Sequence, residues 1–179
     1  MSFTGTEIEG AETYRFFIRY DYSNNEKEVY NTVKLEEPSF TYDKLSPNTK
    51  YAFNYAGVVW TKSGSSSRTG EWAIKQQIRT LSPNPTGLSA TATGENSIKV
   101  TWTGYDGTNN YVIYWEKTSD PTVKGTKTIT HTTGQTNYST SITGLEKGTS
   151  YKIICTSRND DGAECSDAPS TTGTTQGAN

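Results

Sequence analysis

Histidine and methionine each occur once, at His131 and Met1, and cysteine twice, at Cys155 and Cys165. Two cysteines and one histidine fall short of the four-ligand set of a structural zinc site. No apolar run approaches the ~20 residues a membrane-crossing helix needs. Lys and Arg do not cluster: residues 1–80 hold ten acids and ten bases, and the remainder nine and seven. That balance argues against nucleic acid as a partner and against a polybasic membrane patch. The opening Met1-Ser2-Phe3-Thr4 begins no signal segment. Gly5, Gly10, Gly104 and Gly107 belong to loops and form no phosphate-cradling motif. Helical periodicity is missing too, with no stretch of ten or more residues showing apolar positions at i, i+3, i+4 and i+7 between caps.

What is abundant is Thr, Ser, Tyr and Gly, a composition for short strands joined by turns. The 179 residues suit two domains of about 90. Alternation at period two predicts strands at Phe16–Tyr22, Val29–Leu35, Phe40–Tyr42, Tyr51–Val59 and Trp72–Ile78. Gly64–Gly70 reads as a flexible hairpin loop. In the second half, strands are predicted at Leu88–Thr93, Ser97–Trp102, Tyr111–Trp115, Lys127–Thr132, Tyr138–Ile142 and Tyr151–Ser157, with a last one running out near Ala168. Seven short strands without a helix mean an antiparallel two-sheet sandwich. Between the halves, Pro83-Asn84-Pro85 reads as a stiff junction that sets the domains end to end. The expected division is residues 1–81, residues 82–172, and a linker-like tail over 173–179, its Thr, Gly and Gln composition beginning already at Ser170.

One phrase is written twice, one hundred residues apart: Leu45-Ser46-Pro47-Asn48-Thr49-Lys50-Tyr51 and Leu145-Glu146-Lys147-Gly148-Thr149-Ser150-Tyr151. With Pro85-x-x-Leu88, Ser97-Ile98-x-Val100-x-Trp102, Tyr111-x-Ile113-x-Trp115 and Asn159-x-x-Gly162, it makes the second half resemble a fibronectin type III domain. Residues 1–80 look like a divergent second copy, Phe16, Ile18 and Tyr20 corresponding to Tyr111, Ile113 and Trp115. The fold implied is all-β, two immunoglobulin-like sandwiches in tandem. In the first copy Phe3 falls roughly where Trp102 sits, so its first strand is expected before Met1. Either the chain begins inside a domain of a longer protein, the reading preferred, or residues 1–12 substitute irregularly. The resemblance makes Tyr51 and Tyr151 tyrosine corners, each ring over Leu45 or Leu145 and each hydroxyl bonded back to the turn, with Pro47 and Gly148 helping the chain reverse.

Candidate chemistry is sparse. His131, among threonines, reads as a solvated strand residue rather than a base. Asp160, Asp161 and Glu164 read as an Asx-rich turn, because the spacing of a calcium loop is missing. Glu7, Glu9 and Glu12 read as a solvated start. Cys155 takes a position where the family places a core apolar residue, and Cys165 lies close to opposite on the following arm. A simple hairpin register sets 155 beside 166, leaving a disulfide and a buried, unbridged Cys155 both open. Asn137-Tyr138-Ser139 is the one N-glycosylation sequon. Trp60, Arg68 and Trp72 flank or lie in the loop that the family often uses for recognition, and are the candidate partner-binding residues.

These readings imply no enzyme, no cofactor and no metal. They imply a binding or spacer module of a larger protein, extracellular or at the cell surface by resemblance, mediating adhesion or protein–protein assembly. Two alternatives remain: accessory domains of a secreted carbohydrate-active enzyme, with a glycan as partner, and a structural component of an intracellular or virion assembly.

Overall fold

Alternating apolar and polar residues build strands because successive side chains point to opposite faces of a sheet. The computed structural model of the chain describes residues 1–20, 28–31, 35–60, 67–69 and 76–177. They divide into two units, Met1–Thr80 and Leu81–Asn179.

The first unit holds β1 (Ser2–Thr4), β2 (Thr13–Tyr20), β3 (Glu28–Asn31), β4 (Ser39–Thr41), β5 (Lys50–Trp60), β6 (Ser67–Thr69) and β7 (Gln76–Arg79). β2 shows the cause plainly: Tyr14, Phe16 and Ile18 are buried while the residues between them are half-exposed. One sheet runs β3-β2-β5, and both β6 and β7 pair with β5. The other sheet, among the described residues, is β1 paired with β4. Phe3 is buried between the two sheets and packs edge-on against Phe53 at 4.6 Å. β1 therefore takes the place of a second strand, Phe3 facing Phe40 as Trp102 faces Tyr138 in the next unit.

The second unit holds β8 (Thr86–Gly94), β9 (Ser97–Thr103), β10 (Asn110–Lys117), β11 (Asp120–Thr130), β12 (Asn137–Thr143), β13 (Ser150–Arg158) and β14 (Ser170–Thr174). Its sheets run β12-β9-β8 and β11-β10-β13-β14, all antiparallel. Ile98, Val100, Trp102, Tyr111, Ile113, Ile142 and Ile153 fill the space between them. Each such side chain contributes on the order of 1.5–3 kcal/mol by leaving water.

Several expectations change. The tail from Ser170 is not linker: Ser170–Thr174 is the last strand, Thr175 is buried, and the Gln176 N–H reaches the Gly94 carbonyl at 3.1 Å. Composition misled because a strand bonded along one side needs few apolar residues. The loop reading of Gly64–Gly70 gives way at Ser67–Thr69, which pairs with Val58–Trp60. The strand expected over Val29–Leu35 is Glu28–Asn31, with Leu35 in an isolated bridge to Tyr14. Of Trp72–Ile78, Gln76–Ile78 is strand and Trp72 lies outside the described residues.

The Pro83–Pro85 stretch proves to be bonded to the second unit. Ser157 Oγ donates to the Pro83 carbonyl at 2.6 Å, Asp167 N donates to Asn84 Oδ1 at 3.3 Å, and Pro85 is buried.

Candidate functional site

The repeated phrase closes each unit in the same way. Ser46 N donates to Tyr51 Oη at 2.9 Å, and Glu146 N donates to Tyr151 Oη at 3.0 Å. Both rings are buried, at 1% and 2% exposure. Thr49 Oγ1 donates to the Pro47 carbonyl and Thr149 Oγ1 to the Lys147 carbonyl. Reversal needs one left-handed residue, supplied by Asn48 at φ 46° and Gly148 at φ 59°. Asn48 thus takes the role expected of Pro47. Leu145 and Trp102 are buried in the core, while Leu45 is half-buried.

A second threonine completes each corner, and the repeat alone did not reveal it. Thr80 Oγ1 donates to the Ser46 carbonyl at 2.7 Å and accepts from Thr49 N at 2.9 Å. Thr175 Oγ1 donates to the Glu146 carbonyl at 2.6 Å and accepts from Thr149 N at 2.9 Å. The available signal was a threonine at the end of each last strand, but the linker reading hid the second one.

His131 overturns its expectation. Its side chain is 7% exposed, where a solvated strand residue was expected. Nε2 lies 3.0 Å from Asp106 Oδ1, and Nδ1 lies 2.8 Å from Tyr138 Oη. The Gly134 N–H reaches the same Asp106 oxygen at 2.9 Å. That backbone hydrogen bond, then the bond to His131, holds the Asp106 carboxyl below the usual carboxylate range. The arrangement ties the β9–β10 loop to the β11–β12 loop. It was illegible because Asp106 and His131 stand 25 residues apart with no motif between them.

The Asx turn falls on Asn159, whose Oδ1 accepts from Asp161 N and Ala163 N at 3.1 and 2.8 Å. Asp160 Oδ1 accepts from Asn109 Nδ2, joining this loop to the β9–β10 loop. Glu164 turns away, to the outer face of the four-stranded sheet. There its Oε1 accepts from Tyr114 Oη at 2.6 Å and Arg158 Nη2 at 2.8 Å. These bonds, Tyr114 first, lower the Glu164 carboxyl, and the same carboxylate raises the Tyr114 hydroxyl. Beside them a groove of about 520 Å³ runs over Tyr114, Thr126, Lys152 and Ile154. No cluster of three or more His, Cys, Asp or Glu suited to a metal occurs among the described residues.

Both cysteines are free thiols. Cys155 lies in the core, where burial first and Cys165 second push its thiol up to about 12. Cys165 N bonds the Ser157 carbonyl, and its sulfur lies 3.3 Å from Thr156 Oγ1. Cys165 is thus opposite Ser157 rather than Cys155. Thr156 and Cys155 alternate along β13, so the two sulfurs serve opposite faces.

The backbones of Trp60 and Arg68 are held in the β5–β6 hairpin, Trp60 facing Ser67 and Arg68 facing Val59. Trp72 lies outside the described residues. In the first unit, Glu7, Glu9, Glu36 and Glu37 line a depression of about 560 Å³ together with Ile8, Tyr14 and Pro38.

A family model for the fibronectin type III domain matches residues 83–173. Among solved structures, a two-domain fibronectin type III segment from chicken tenascin is similar at 18% identity and a TM-score of 0.58, over 93% of this chain and 86% of that one. The FN1–FN3 domains of chicken CNTN1 match at 16% identity and a TM-score of 0.47, over 92% of this chain and 55% of theirs. A computationally redesigned β-sandwich matches at 25% identity and a TM-score of 0.46, over 55% of this chain and all of its own. No curated protein matches the chain. Domains of this fold are generally non-catalytic modules for binding and spacing. With the matched half, the repeated corner and the antiparallel sheets of both units, the chain belongs to the fibronectin type III family.

Proposed function

We propose that this chain is a non-catalytic binding and spacing segment of a larger extracellular or cell-surface protein, serving adhesion or protein–protein assembly. The observation that supports it most is how the reactive side chains are used. His131, Asp106, Tyr111 and Tyr138 knit loops to one another, and Glu164, Arg158 and Tyr114 bond among themselves on a sheet face. Spent this way, they hold a surface in shape rather than turn over a substrate. The proposed contact residues are Trp60 and Arg68, whose backbones lie in the β5–β6 hairpin of the first unit, and Trp72, which follows that hairpin in sequence. Aromatic and arginine side chains dominate the energetics of protein interfaces.

The test is saturable binding of the full chain to immobilised extracellular-matrix protein and to the surface of cells from its source. Trp60→Ala, Arg68→Ala and Trp72→Ala should each weaken it at least about tenfold, the cost of a hot-spot residue. Binding that survives all three but falls with Tyr114→Ala moves the contact to the groove of the second unit. Failure to bind any protein surface, with saturable binding on a glycan array lost in Trp60→Ala, establishes the carbohydrate-accessory alternative. A native protein confined to the cytosol overturns the extracellular placement.

A further inference from the structure

The outward positions of β12, β9 and β8 are paved with short hydroxyl side chains, among them Ser89, Thr91, Thr101, Thr103, Ser139 and Ser141. Lys99 is the one charged residue at those positions. This face differs from the opposite sheet, with its tyrosine, lysines and ion pairs. At its edge stands Asn137, the first residue of β12, exposed and paired across to Thr103. Between Asn137 and Ser139, Tyr138 is sunk in the core and stacks on Trp102 at 5.6 Å. That anchor turns Asn137 and Ser139 to the same outer side. A shallow depression of about 370 Å³ lies beside Asn137, bordered by Gly87, Thr101, Thr103 and Ser139.

We propose that Asn137 carries an N-linked glycan, seated beside this depression and covering the hydroxyl-paved face. The inference rests on the extracellular reading above, since the sugar donor is found along the secretory route. In the transfer, Asn137 Nδ2 bonds to the anomeric carbon of an oligosaccharide carried on a lipid pyrophosphate. The bond from that carbon to the pyrophosphate oxygen breaks, the lipid pyrophosphate leaves with the electron pair, and Nδ2 gives up one proton. Ser139 supplies the hydroxyl two residues on that the acceptor triplet requires. The folded protein accommodates the product because Asn137 is exposed and the surface around it is neutral and rich in hydrogen-bonding groups that match a polyhydroxyl chain. Asn84-Pro85-Thr86 has the same outline, but its central proline removes it as an acceptor and makes it an internal control.

The full chain, secreted from cultured eukaryotic cells behind an added signal sequence, should carry one glycan. Enzymatic removal that converts the linked Asn to Asp should mark position 137 in a peptide map and leave Asn84 unchanged. Asn137→Gln and Ser139→Ala should each abolish the mass shift, and Ser139→Thr should keep it. The map needs no variant, so misfolding of a mutant does not blur the result. A secreted wild-type chain with bare Asn137, beside a co-expressed acceptor protein that is glycosylated, overturns the proposal. A glycosylated secreted chain supports the site even where the native protein is found in the cytosol, an outcome that removes only the extracellular reading.

Discussion

Where the last strand of each unit pairs with its neighbour in the sheet, a buried tyrosine meets a different residue. Tyr151 pairs with Gly173, and Tyr51 pairs with Ile78. A side chain at 173 would begin 3.0 Å from Ala90 Cβ on β8 and 3.2 Å from Ile98. Glycine is there because another strand passes close. In the first unit, whose second sheet has two strands among the described residues, the matching position holds Ile78, 41% exposed. The same contrast recurs nearby: Ile153 and Leu145 are buried, while Phe53 and Leu45 are half-buried. One corner thus closes two cores of different completeness. A third strand is what turns a half-buried apolar layer into a sealed one.

The largest effect should come from the corners. In the full chain, Tyr151→Ala should cost ~3–5 kcal/mol and abolish the second unit's cooperative transition in denaturant unfolding. Tyr51→Ala should cost less than Tyr151→Ala, because the core above it is less enclosed. Equal losses would remove the contrast between the units. Next, Gly173→Val should cost ~1–3 kcal/mol by overpacking against Ala90 and Ile98. Ile78→Val should shift the first unit's midpoint by less than the cost of a buried methylene, about 0.8 kcal/mol. Thr175→Val, which leaves the Glu146 carbonyl and Thr149 N–H without that partner, should cost about 1–3 kcal/mol. Thr80→Val should cost less, since Thr80 is half-buried and Thr175 is 3% exposed.

The smallest effect is acid sensitivity of the second unit. Asp106 and Glu164 both hold folded-state pKa values below their ordinary ones. Their stabilisation is therefore present above the unfolded carboxylate range near 4 and lost as pH falls through the lower folded values. Asp106→Asn should flatten the fall in the second unit's unfolding midpoint between neutral pH and about pH 2. An unchanged pH profile would show that Asp106 contributes nothing through its charge.

Much of the architecture was legible. Period-two alternation located most strands, and the duplicated Leu–Tyr phrase located both corners before any geometry was known. The offset of Phe3 from a normal start anticipated that it would act on a second strand. Side-chain partners with long separations were not legible. His131 among threonines resembles any polar strand residue until Asp106 and Tyr138 are folded against it. Ser170–Thr175 resembles linker until the edge of β13 is there to pair with it. The candidate contact residues Trp60 and Arg68 came from loop position, and the structure adds only that their backbones share a hairpin.

By itself the sequence determined the strand periodicity and the bond of each corner tyrosine to its own turn, because these depend on residues within six positions of one another. Tertiary structure decided which polar side chains are buried, where Cys155 and Cys165 point, and that Thr80 and Thr175 finish the corners. Those outcomes depend on strand register, and a one-residue change in register exchanges the two faces of a strand. The repeated phrase therefore wrote the same joint twice. How far each joint is covered depends on the strands packed across it.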